Sequence, residues 1–273
     1  MLVCTLGDLT LDVIVRVAGP VAVGGDTEAE IRVGPGGQAA NVAAWAATLG
    51  ASSRFIGKTG SDDAGELART KLARYGVEIV GPVTGRNGTI CSLVSPEGER
   101  SMASDRGSAR ELRAEELDPK WLAGCDHLHI SGYALMLEPV RSATLHAVEL
   151  ARAEGARISV DLASWSAIRD SGVDAFRDGV RGLDPNVVFA NEDEERVVGR
   201  AVTDAAWILK QGARGCSFDG DEREALPVEH AVDSTGAGDA LAAGWIVGGP
   251  DLALETAACC VQQLGAMPLA SDE

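Results

Sequence analysis

From residue 127 onward, short apolar runs rich in β-branched residues alternate with longer helical patterns, and this constrains the chain more than any other feature. "HLHISG" (127–132) precedes the helical stretch "EPVRSATLHAVELARAEG", "RISVDLA" (157–163) follows it, and "VVFAN" (187–191) leads into "EDEERVVGR". "AAWILKQG" and "GCSFDG" are two further strands around "ARG". Short continuous apolar strands need cover on both faces, and strands joined through helices run parallel. The expected fold class is α/β, with three αβα layers around a central, mostly parallel sheet.

The first hundred residues break this rhythm. Residues 2–6, 12–17 and 28–33 read as strands with no helix between them. "TICSLVS" and "ERSMAS" around "PEG" read as a β-hairpin. "GPGGQAANVAAWAATLG" is a glycine-rich loop opening an Ala-rich helix that stops at Gly50, and "DDAGELARTKLARYG" is a helix closed by Gly76. The helix-free segments, 12–34 and 89–106, predict a small β-sheet lid on a single domain spanning 1–273. Ligands in open α/β sheets sit beyond the carboxyl ends of the strands, so the loops there are the candidates.

Charge and cysteine usage remove several function classes. With 24 Lys and Arg against 41 Asp and Glu, the net charge is −17, which argues against a nucleic-acid or anionic-membrane surface. The longest apolar stretches, such as "VAAWAATL", are too short to span a bilayer. The six cysteines form no C-x-x-C pair, which predicts buried free thiols in a reducing compartment. "MLVCTLGD" has no basic leader region, so a cytoplasmic location is expected.

Two glycine loops stand out. "GPGGQA" (34–39) has the form G-x-G-x-x-A, but the next strand, "SSRFIG", runs into Lys58 and not into the acid that would hold a ribose. No G-x-x-x-x-G-K-[ST] loop exists either. Gly36 and Gly37 then either make a tight turn or let a hydroxylated ligand approach the backbone, with Asn41 one turn inside the helix. In "DSTGAGDA" (233–240), Gly236 and Gly238 expose N–H groups at a helix start, where anionic charge is stabilised. Asp239 there either complements the helix dipole or does chemistry.

Taken together, these residues resemble the ribokinase-like, or PfkB, carbohydrate kinases. "DSTGAGDA" is similar to that family's C-terminal signature, and "GPGGQAANVAAWAATLGA" followed by "FIGKTGSDDAGE" to its N-terminal one. "NEDE" (191–194) is similar to its N-x-x-E motif, and "KQGARG" (210–215) to its nucleotide loop. The resemblance implies a central parallel sheet with a β lid, and transfer of the γ-phosphoryl of ATP, with Mg²⁺, to a hydroxyl of a sugar or polyol. It makes Asp239 the catalytic base and Gly236, Ala237 and Gly238 a backbone anion hole. It puts Asp12, Gly36, Gly37 and Asn41 on the sugar, and Asn191, Lys210, Gly212 and Gly215 on the nucleotide. Glu194 becomes a residue organising Mg²⁺ and phosphate from behind, although Asn191 and Glu194 also fit a helix capping box. Asp233 and Thr235 border a monovalent cation, such as K⁺, in some relatives. Apart from the resemblance, the exposed β edges of a lid tend to pair with another lid, so a homodimer through it is a further expectation.

Other readings remain open at this point. A nucleoside kinase of the same family would stack a base on Tyr133, Trp165 or Phe55. A non-catalytic binder would keep the fold without turnover. Gln38 stands where several relatives carry Lys, and "DLASW" lacks the D-x-N expected for sugar-acid kinases. Arg106 is free to meet a carboxylate or to lie solvated. Gln262 and Gln263 are the candidates for contacting adenine.

Overall fold

Alternation of side chains along the strands sets the layer plan. In strand β1 (Leu2–Leu6), Cys4 and Leu6 enter one apolar cluster and Val3 enters another on the opposite face. A computed structural model describes residues 1–95, 100–200 and 204–269. After β1 come β2 (Thr10–Val17), β3 (Ala29–Gly36), α1 (Gln38–Thr48), β4 (Ser52–Ile56), α2 (Asp63–Ala73), β5 (Glu78–Val80), β6 (Asn87–Val94) and β7 (Arg100–Gly107). The second half runs β8 (His127–Ser131), α3 (Val140–Ala153), β9 (Arg157–Asp161), α4 (Trp165–Ser171), α5 (Val173–Leu183), β10 (Val187–Asn191) and α6 (Glu192–Val198). It ends with β11 (Ala206–Lys210), β12 (Cys216–Phe218), β13 (Asp221–Arg223), α7 (Ala237–Gly248) and α8 (Pro250–Cys260).

The large sheet has the order β13-β12-β11-β10-β9-β8-β1-β4-β5. Every pairing from β11 to β5 is parallel, and β12 and β13 add an antiparallel edge. The chain leaves β1 toward β4 and β5, then returns to β8 on the other side of β1. That reversal opens a crevice at the carboxyl ends of β1 and β8. One face of the sheet is covered by α3, α4, α5 and α6 over Leu128, Ile130, Val160 and Val188. The other is covered by α1, α2, α7 and α8 over Val3, Phe55, Phe189 and Ile208. Helix α7 is apolar nearly all round because it lies buried between α1 and α8. Gly244 lets α8 approach, since a Cβ there would meet the Leu252 carbonyl at 2.6 Å.

The small sheet has the order β3-β2-β6-β7. Its strands run longer than the sequence patterns indicate: the β2–β3 ladder extends from Val17↔Ala29 to Thr10↔Gly36, so the chain passes from the ladder directly into α1. Strands β6 and β7 pair antiparallel, and the "PEG" turn between them lies outside the described residues. Strands β5 and β13 have three residues each, too few to leave a periodic pattern. No helix among the described residues is long and apolar enough to cross a membrane.

Candidate active site

Polar or charged groups close several strands along the carboxyl edge of the large sheet. Asp8 follows β1, and β9, β10 and β11 end in Asp161, Asn191 and Lys210. These line up because parallel strands share one direction, and β10–β11 register pairs Asn191 with Lys210. Lys210 Nζ donates to Asp161 Oδ2 at 2.6 Å, with Asp161 fully buried. A buried charge without a partner would cost several kcal/mol, so each of these two requires the other. Lys210 also lies under the glycine loop, where a Cβ on Gly238 would sit 3.2 Å from its Nζ.

Helix α7 begins without a side-chain cap. Gly236 is its N-cap in the left-handed region (φ 75°), and a Cβ there would also meet Ala266 at 2.4 Å. The first-turn N–H groups therefore face outward with the positive end of the helix dipole behind them. Asp239 sits in that turn, and its Oδ2 accepts from Asn41 Nδ2 at 2.7 Å, a bond between residues 198 apart that joins the two glycine loops. Burial, and next the Asp161 carboxylate, push Asp239 up to about 7, against the pull of Asn41 and Lys210. A carboxyl poised there can exchange a proton near neutral pH.

Asp12 stands on β2, with its Oδ1 accepting from Thr10 Oγ1 at 2.7 Å. Burial raises its carboxyl to about 6, with Thr10 opposing. Gly36, opposite Thr10 in the ladder, lies diagonal to it, and a Cβ on Gly36 would run into the carboxylate. Gly37 has φ 98° and backs onto the Asp8 carbonyl. Both glycines thus serve the fold and keep Asp12 accessible. Two buried acceptors, Asp8 Oδ1 and Asn41 Oδ1, have no hydrogen-bond partner among the described residues. Such oxygens call for donors, and hydroxyl groups supply them.

The other sequence candidates divide. Asn191 and Glu194 form a reciprocal capping box, in which Glu194 Oε2 accepts from the Asn191 N–H and Asn191 Oδ1 accepts from the Glu194 N–H. Glu194 Oε1 further accepts from Asn191 Nδ2 at 2.8 Å, which fixes the amide. Gly212 and Gly215 flank a short turn between β11 and β12 and line a slot of about 460 Å³ together with Lys210, Leu226, Ala237 and Gly238. Asp233 ties its own loop, accepting from Thr235 N and Oγ1 and from Gly265 N.

Several side chains sit elsewhere than expected. Arg106 is not solvated: it is buried, ion-paired with Asp8, and stacked 3.3 Å from the centroid of the Tyr133 ring. Tyr133 is therefore covered, and Phe55 lies in the apolar core under α1 and α2, so neither offers a face to a base. Trp165 is exposed with Arg169 over its ring. Gln262 and Gln263 both turn onto backbone carbonyls, Ala258 and Met267, and away from the slot. Asp8 and Asp161 escaped the sequence reading, although the rule of strand carboxyl ends points at both.

A family model described as "pfkB family carbohydrate kinase" matches residues 1–271. The chain belongs to that family. Among pfkB-family relatives, it is 31% identical over 280 residues to an ATP-dependent ribose-1-phosphate kinase of Halopiger xanaduensis, covering 94% of this chain and 90% of that protein. It is 30% identical to a fructokinase of Klebsiella pneumoniae, covering 82% of this chain and 79% of the other. Its fold matches a putative ribokinase II of Escherichia coli with a TM-score of 0.85 at 23% identity, covering 98% and 95% of the two chains. In this pfkB-family chain the two glycine signatures are the loops that the Asn41–Asp239 bond brings together.

Proposed function

We propose that this pfkB-family kinase transfers the γ-phosphoryl group of ATP to a hydroxyl of a sugar or related polyol. The observation that carries the reading is Asp239 at the mouth of an uncapped helix, bonded to Asn41 on one side and next to the 460 Å³ slot on the other. The slot is mostly apolar, as a nucleobase requires, and it opens on Ala237 and Gly238, where phosphates meet helix N–H groups. Gly212 and Gly215 add no side chains to its wall, and Asn191 stands beside Lys210 at its sheet end.

In this reading Asp12, Gly36, Gly37 and Asn41 hold the acceptor, with Asp8 Oδ1 and Asn41 Oδ1 receiving its hydroxyl protons. Asp239 takes the proton of the attacking hydroxyl as the new O–P bond forms and the bond to the β-phosphate oxygen breaks, releasing ADP. The backbone of Gly236, Ala237 and Gly238 stabilises the charge that spreads over the transferring group. Glu194, bonded to Asn191, would organise Mg²⁺ and phosphate from behind. Mg²⁺ neutralises phosphate charge when bound. The Asp233–Thr235 loop suits a monovalent cation such as K⁺, and a cytoplasmic site of action fits ATP as donor. The outward face of the small sheet exposes Ile31, Val33 and Leu93, which supports pairing of two copies through the lid.

Coupled measurement of ADP release over a panel of sugars tests the reading. Acceptor-dependent turnover is expected; its absence across sugars, sugar phosphates and nucleosides, with ligands still binding, would identify a non-catalytic member.

A further inference from the structure

One cavity beside Asp12 is lined by charge opposite in sign to that of the whole molecule. A cavity of about 520 Å³ lies between the small sheet, the C-terminal part of α2 and the loop 264–269. Part of one face of the small sheet floors it: Asp12, Ile14, Arg32, Gly34, Ser92 and Met102 are cross-strand or alternate neighbours. Thr235 of the glycine loop, and Gly265 and Ala266 of the 264–269 loop that Gly236 packs against, also line it. The lining holds three cationic side chains, Arg32, Lys71 and Arg74, and Asp12 as its one carboxylate, in a chain of net charge −17.

These cations are placed away from Asp12. Asp12 pairs with Gly34, and Arg32 pairs with Ile14 two residues along, so the cationic end begins about 7 Å down the strand. That separation is near the width of one sugar ring. Arg32 shares its charge with Glu30 at an exposed position, and Lys71 Nζ spends one donor on the Val33 carbonyl at 2.7 Å. Arg74 has no ion pair among the described residues. Lys71 therefore keeps two N–H donors, and Arg74 its whole guanidinium, for a ligand. The inner end of the crevice differs, because Arg106 is already neutralised by Asp8.

We propose that the acceptor is a phosphorylated sugar, bound with its hydroxyls on Asp12 and Asn41 and its phosphate on Lys71, Arg74 and Arg32. The proposal rests on the kinase reading above and narrows its substrate class. A phosphomonoester is nearly dianionic and offers three oxygens, which suits a lysine and two arginines better than a neutral polyol does.

Steady-state turnover with ribose 1-phosphate, ribose, fructose and gluconate tests it, together with a Lys71→Gln/Arg74→Gln variant. The expected result is a kcat/KM for ribose 1-phosphate on the order of 100-fold above that for ribose, since each charged contact is worth roughly tenfold. In the variant, KM for ribose 1-phosphate rises by a similar factor while kcat falls far less, with the melting temperature unchanged. Calorimetric titration of ribose 1-phosphate into Asp239→Asn protein without ATP reads the pocket independently of catalysis. Turnover that favours ribose, fructose or gluconate, or a KM for ribose 1-phosphate insensitive to the double substitution, overturns the phosphate assignment and leaves the kinase standing. Binding to the Asp239→Asn protein that the double substitution abolishes, with no turnover by the unaltered protein, supports the pocket and sinks the kinase reading.

Discussion

Asp239 is where single-residue chemistry is most exposed to test. Replacing it with Asn keeps a partner for Asn41 and removes the proton acceptor, so turnover should fall by about 10²–10⁴-fold while acceptor affinity measured by calorimetry holds. Its raised value sets the sign of the pH dependence. As the proposed base, Asp239 works ionised, so kcat/KM should rise with pH through about 7 and level off above it. Asp161 is one cause of that elevation, and Asp161→Asn should shift the acid limb to lower pH; an unmoved limb would mean that another group titrates. The same substitution strands Lys210 and should lower the melting temperature, with a loss of about 3–5 kcal/mol. The sequence marked Asp239 through its glycine neighbours. It left Asp161 unmarked because that residue matters through its partner Lys210, 49 positions away.

Elements carry the next level of argument. Helix α7 starts on Gly236 because only glycine tolerates both its φ and its contact with Ala266, so Gly236→Ala should destabilise the protein by more than about 1 kcal/mol and disorder the anion loop together. Thermal melting with and without ATP would separate the two effects. At the start of α6 the capping box accounts for both oxygens of Glu194, and Glu194→Gln keeps one acceptor and loses the charge. A stability loss near or below about 1 kcal/mol is expected, with a raised Mg²⁺ requirement as the functional signature. A purely thermal effect would reduce Glu194 to a cap. Motif spacing made these two helix starts legible, whereas β5, β13 and the extension of β3 to Gly36 were not, since their pairing partners decide them.

At the scale of the whole molecule, two histidines of the sheet interior weigh on acid stability. His127 Nε2 and His129 Nδ1 both bond Ser159 Oγ, at 2.8 and 2.9 Å, and burial pushes each ring down to about 3. Both stay neutral in the fold and take protons near pH 6.5 once unfolded. Their contribution is complete above about pH 6.5 and is lost as pH falls toward 3, at up to about 1.4 kcal/mol per pH unit for each ring. Asp239 and Asp12, raised to about 7 and about 6, oppose this decline, so the test is a difference. In denaturant melts from about pH 6.5 to about pH 4 the unaltered protein should lose stability relative to His129→Asn, at up to about 1.4 kcal/mol per pH unit.

The sequence alone determined the layers, the parallel sheet, the small helix-free sheet and the two glycine loops, because periodicity and glycine placement are local properties. It also determined that Asp239 sits at a helix start. Only the tertiary structure decided that Asn41 holds Asp239, that Asp161 and Lys210 form a pair, that Arg106 is spoken for by Asp8, and that Arg32, Lys71 and Arg74 share one cavity with Asp12. Burial and charge pairing arise between residues far apart in the chain, and no local pattern records them.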